Sequence, residues 1–154
     1  MICDIYVETS LSFNQKGDGI VGIALVVEDC DARTVYGFVK DCTQSKAIII
    51  GITKALSFCV YQDIRLHLSC TFVGNALKNG WLPSWEAALY KSAKGRMVKN
   101  AREWHELFEK LQGRNVEVHL NEFNGYRNYL IFESKQRMKK HDKSWMNSFA
   151  SGKK

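Results

Sequence analysis

The sequence predicts an α/β domain in which a five-stranded mixed sheet is flanked by helices. Three β-rich segments separated by polar turns come first and read as a meander. Helical and extended patterns then alternate, which calls for parallel as well as antiparallel pairing. With 154 residues, 45% hydrophobic and 25% charged, the chain suits one globular domain that buries its own core.

The elements follow in order. Ile2 to Glu8 is the first strand, and Ser10 to Gly19 a polar turn. Gly19 to Glu28 is the second strand; Asp29 to Ala32 turns it into a third, Thr34 to Lys40, as a hairpin. Thr43 to Cys59 predicts a helix with Thr43 as N-cap, because Ile48, Ile49, Ile52, Leu56 and Cys59 recur at helical spacing. Gly51 lowers helix propensity in its middle, which points to close packing on the sheet. Ile64 to Leu68 is the fourth strand and Thr71 to Asn79 a helix.

Gly80 to Asn100 is aromatic and basic. Asn100 and Glu103 have the spacing of a capping box for a helix whose apolar stripe is Trp104, Leu107, Phe108 and Leu111, ended by Gly113. Val116 to Leu120 is the fifth strand, and a final helix begins at Tyr126. Residues 1–134 are read as the domain, and 135–154 as the end of the last helix and a basic tail carrying Trp145, Met146 and Phe149.

A net charge of +6 favours a polyanionic partner, since Lys and Arg set against phosphates release counterions. The five cysteines include no CxxC pair and no zinc-finger spacing to His, so they are expected to be reduced and structural. No basic-then-apolar leader and no apolar run of membrane-spanning length occurs. These features exclude a membrane-spanning reading and predict a cytoplasmic protein.

The stretch Trp81-Leu-Pro-Ser-Trp85, then Gly95-Arg-Met-Val-Lys-Asn-Ala-Arg-Glu-Trp104, and the opening strand ending Glu8-Thr-Ser10 resemble ribonucleases H of the bacterial type. The resemblance runs from about Ile2 to Lys135 and implies the ribonuclease H-like fold. It further implies that Trp81, Trp85, Lys91, Lys94, Arg96, Lys99 and Asn100 straddle one strand of an RNA–DNA hybrid, an aromatic resting on sugar or base and the cations on phosphates. Core packing for the two tryptophans and a merely solvated basic loop remain open beside that role. Asn14, Thr43 and Lys46 match positions that hold backbone phosphate, with Lys in place of Arg and so without the bidentate fork. Gln44 and Ser45 stand where the family approaches the 2′-hydroxyls of RNA.

Family members place four acids around two Mg²⁺ ions about 4 Å apart. The matching positions here hold Glu8, Ile48, Ser69 and Asn128, a single carboxylate. Mg²⁺ demands oxygen ligands, and Ile48 offers none. Asp4 shares a strand face with Glu8 but lies about 13 Å along it. Glu133 is turned about 140° from Asn128 round its helix, which leaves Glu122 as the one helper for Glu8. His67, His105, His119 and His141 have no catalytic pairing evident in the sequence.

The expectation is therefore a catalytically inactive ribonuclease H-like protein that binds nucleic acid, an RNA–DNA hybrid or an RNA duplex. No cofactor is expected; Mg or Mn would enter only with residual nuclease activity. The alternatives are a weak metal-dependent ribonuclease H using Glu8 and Glu122, and a protein-interaction module, with a protein partner, on an inactive scaffold.

Overall fold

Alternation along Ile2–Thr9 puts Cys3, Ile5 and Val7 on one side of the strand and Asp4, Tyr6 and Glu8 on the other. In the computed structural model, which describes residues 1–140, this segment is β1 and lies at the centre of the sheet. It pairs antiparallel with β2 (Lys16–Val27), and β2 pairs antiparallel with β3 (Arg33–Thr43). On its other side β1 runs parallel to β4 (Asp63–Leu68), and β4 parallel to β5 (Asn115–Leu120). The order β3-β2-β1-β4-β5 is the mixed five-stranded sheet expected from sequence. The tail residues Trp145, Met146 and Phe149, together with His141, lie outside the described residues.

Helix α1 (Gln44–Phe58) covers the apolar face of the sheet with Ile48, Ile49, Ile52 and Leu56, all buried. Thr43 caps it as expected: the Lys46 N–H donates to Thr43 Oγ1 at 3.2 Å. Gly51 explains itself here. A Cβ at that position would sit 2.6 Å from Val21 Cγ1 and 2.7 Å from Val7 Cγ1. Both valines are fully buried and β-branched, so neither can swing away. Gly51→Ala is accordingly expected to destabilise the fold by about 1–3 kcal/mol despite the better helix former. A urea midpoint equal to that of the parent would refute this packing.

Past β4, α2 (Thr71–Lys78) and α3 (Trp81–Ala87) lead to α4 (Ala101–Leu111), whose Trp104 and Leu107 are buried. Helix α5 (Gly125–Lys139) lies over the opposite face of β1 and β2. Asn124 caps it, accepting from the Arg127 N–H at 2.8 Å, and Arg137 stacks 3.9 Å above the Tyr36 ring.

Two local expectations fail. Strand β2 begins at Lys16, three residues before Gly19, and β3 runs on to Thr43; Lys16 pairs with Thr43 and Gly17 with Cys42 across an irregular register step. The glycines that read as a turn are a bulged strand end. The capping box does not form either. Asn100 is left-handed (φ 62°) and makes no side-chain cap bond, because a capping side chain needs an extended backbone to reach back over the first turn. Glu103 instead lies 3.9 Å from Lys46 Nζ.

Candidate nucleic-acid interface

Three separate chain segments, with Phe72 of α2, line one groove. The first is the turn between β1 and β2. The Gln15 N–H donates to the Ser12 carbonyl (3.0 Å), the Ser12 N–H donates to Gln15 Oε1 (2.8 Å), and Asn14 takes the left-handed backbone the turn needs. The second is the start of α1, tied to the turn by the Gln44 side-chain amide, which donates to the Leu11 carbonyl at 3.3 Å. The third is the approach to α4. Together they enclose a groove of about 460 Å³. It is lined by Phe13, Asn14, Gln15 and Lys16, by Thr43, Gln44 and Ser45, and by Phe72, Lys99 and Asn100.

The residues singled out from sequence divide accordingly. Asn14, Thr43, Gln44, Ser45, Lys99 and Asn100 meet in the groove, although they come from three distant parts of the chain. Lys46 does not line it, being turned to Glu103. Lys91, Lys94 and Arg96 are exposed on a small hairpin, closed by the Lys91–Met97 bridge and a 2.7 Å bond from the Ser92 N–H to the Arg96 carbonyl. Trp81 and Trp85 belong to an aromatic cluster: Trp81 lies 6.1 Å from Phe72 and from Trp85, and Trp85 5.2 Å from Trp104. Trp104 is fully buried, while Trp81 keeps 38% of its surface exposed. Phe13, Gln15, Lys16 and Phe72 were not anticipated. A large apolar residue inside a polar turn, as at Phe13, was the available signal.

Behind the groove, Glu8 is only 6% exposed. Ser69 Oγ donates to Glu8 Oε1 at 2.7 Å. Burial pushes the carboxyl up to about 7, against the opposing pull of the Ser69 bond and the Arg127 charge.

No family model matches the chain. Ribonuclease H of Prosthecochloris aestuarii is 26% identical to it over 133 residues, which span 82% of this chain and 90% of that protein. The chain is similar in sequence to ribonucleases H over most of its length. Solved structures agree on the fold. LC9-RNase H1, a type 1 RNase H with the type 2 active-site motif, superposes with a TM-score of 0.70 at 14% identity, covering 88% of this chain and 71% of that one. LC11-RNase H1, solved in complex with an RNA/DNA hybrid, gives 0.63 at 12% identity, covering 88% and 98%.

In this chain, the four positions matched by resemblance to the acids of ribonucleases H form no carboxylate cluster. Ile48 is buried in the core, Ser69 is engaged with Glu8, and Asn128 is neutral and exposed. A single carboxyl beside Ile48, Ser69 and Asn128 supplies too few oxygen ligands for a two-ion Mg²⁺ site. Glu122 is held elsewhere, with His119 Nδ1 2.9 Å from its Oε1. Asp4 is bound by Arg65 (2.8 and 3.0 Å) and by His67 (2.8 Å), which hold its carboxyl below the usual range against the opposing effect of burial. Among the described residues, His67, His105 and His119 each pair with a carboxylate, in keeping with structural rather than catalytic roles. His105 lies 2.9 Å from Glu86 and 3.3 Å from Glu109, and the hydrogen bond to Glu86 raises its pKa. Among the described residues no group of three or more His, Cys, Asp or Glu is arranged to hold a metal ion, and no helix is long and apolar enough to cross a membrane.

Proposed function

We propose that this protein holds nucleic acid, an RNA–DNA hybrid or an RNA duplex, in the groove and does not cut it. The observation that carries this is the convergence of Asn14, Thr43, Gln44, Ser45, Lys99 and Asn100 on one concave surface beside the tryptophan cluster. Lys16 and Lys99 supply cations for phosphates, and the α1 N-terminus adds backbone N–H groups near Thr43. Gln44 and Ser45 offer hydrogen-bonding groups suited to sugar 2′-hydroxyls. Lys91, Lys94 and Arg96 extend the positive field beyond the groove itself. The structural neighbour LC11-RNase H1, solved in complex with an RNA/DNA hybrid, supports this choice of ligand class.

The donor set supports the absence of cutting. Hydrolysis by two ions needs several ionised carboxylates, and Glu8 with Ile48, Ser69 and Asn128 supplies at most one. Residual Mg- or Mn-dependent cleavage would need Glu122 to leave His119 and join Glu8.

Fluorescence anisotropy with labelled hybrid, RNA duplex and DNA duplex across a salt series tests the binding. Affinity is expected to fall steeply with salt, with hybrid or RNA preferred. Lys99→Ala should reduce the magnitude of the log–log slope by about 1, the contribution of one phosphate contact. A triple replacement of Trp81, Lys94 and Lys99 by Ala that binds as tightly as the parent would overturn the assignment.

A further inference from the structure

We infer that the groove takes an unpaired nucleotide whose base stacks on Phe13, so that the favoured ligand carries a single-stranded segment beside its duplex. The inference deepens the nucleic-acid reading of the same groove and rests on it.

Phe13 is 78% exposed, on a turn whose backbone is fixed by the two hydrogen bonds between Ser12 and Gln15. An exposed Phe leaves much of its burial free energy unrealised, so a stacking partner would be favoured. Phe72 lines the same groove, is 46% exposed, and is backed by Trp81 at 6.1 Å and Trp104 at 6.3 Å. The groove therefore offers flat apolar surface from two independent segments. At about 460 Å³ it lies within the range of small-molecule sites, roughly 300–1,000 Å³.

The polar groups between the aromatics suit a base edge. Gln15 spends its side-chain oxygen on the Ser12 N–H, which leaves its amide N–H groups as donors. Gln44 spends its amide nitrogen on the Leu11 carbonyl, which leaves its side-chain oxygen as an acceptor. Lys99 and Lys16 flank the groove and are placed for the phosphates on either side of a nucleotide. Lys16 is 4.0 Å from Asp41, an exposed pair of the weak kind that a phosphate can displace.

A base inside a duplex already has both faces stacked and its pairing edge occupied, so it can use neither the aromatic faces nor the groups suited to a base edge. An unpaired base can use both, and stacking on an exposed aromatic favours it whatever its sequence.

The test is anisotropy with three ligands sharing one hybrid duplex: blunt, with a single-stranded extension of about five nucleotides, and with the same extension made abasic. The extended hybrid is expected to bind about tenfold more tightly than the blunt one, within the range stacking provides. The abasic extension, which adds phosphates without bases, should give little of that gain. In Phe13→Ala the ratio of extended to blunt affinity should fall to that of the abasic ligand, and Phe13→Trp should restore it. Equal affinity for the extended and abasic hybrids, or a ratio unchanged in Phe13→Ala, would overturn the inference while salt-sensitive blunt binding still supports the groove. Absence of salt-sensitive binding to any of the three would overturn the groove assignment as well.

Discussion

Glu8→Gln is expected to make this protein more stable at pH 8, by roughly 2–3 kcal/mol. Glu8 is buried, and its carboxyl titrates at about 7 in the folded chain against 4.5 for the ordinary group. The folded state therefore keeps a proton that the unfolded state releases between those two values. Stability falls as pH rises through that window: the destabilising contribution is absent below about 4.5 and complete above about 7. A difference of about 2.5 pKa units corresponds to at most roughly 3 kcal/mol. Gln removes the charge and can still accept from Ser69 Oγ. Urea unfolding at pH 8 should show the gain, and the parent and variant should converge near pH 4.5. A variant less stable than the parent at pH 8 would mean that the ionised carboxylate is favourably bound there, as a metal ligand would be.

Trp104→Ala is expected to have the larger effect, a loss of about 3–5 kcal/mol. The indole is fully buried in α4, beneath Trp85 at 5.2 Å and beside Phe72 at 6.3 Å. Its removal leaves a cavity under the aromatic wall of the groove, so affinity for hybrid should fall even under conditions where the variant remains folded. Trp104→Phe separates packing from polarity. The indole Nε1 is buried without a hydrogen-bond partner, so Phe forfeits volume but no hydrogen bond. It should cost clearly less than Ala in the urea midpoint. Equal losses for the two variants would place the stabilisation somewhere other than ring packing.

The architecture was legible because the periodicities are strong. Alternation in β1 and the helical spacing of Ile48, Ile49, Ile52 and Leu56 fix which faces are buried, and Gly51 marks where α1 meets the sheet. Element ends were less legible. Gly17 and Gly19 carry turn chemistry yet pair in a strand, and Asn100 has the composition of a cap without its backbone. At the interface, Asn14 and Lys99 could be named from the resemblance, but their convergence is a property of the fold. Phe13 and Phe72 went unnoticed because an isolated Phe in a sequence reads as core. The carboxylate pairing of His67, His105 and His119 is also non-local in part, since His67 meets Asp4 from a neighbouring strand.

The central claim, a groove kept and a metal site gone, is tested most directly by incubating a labelled RNA–DNA hybrid with protein above its measured dissociation constant, first with Mg²⁺ and then with Mn²⁺, and resolving the products under single-turnover conditions. The prediction is that the hybrid is bound and stays intact with either ion. Metal-dependent cleavage that disappears in Glu8→Ala would contradict it and make this chain a working nuclease.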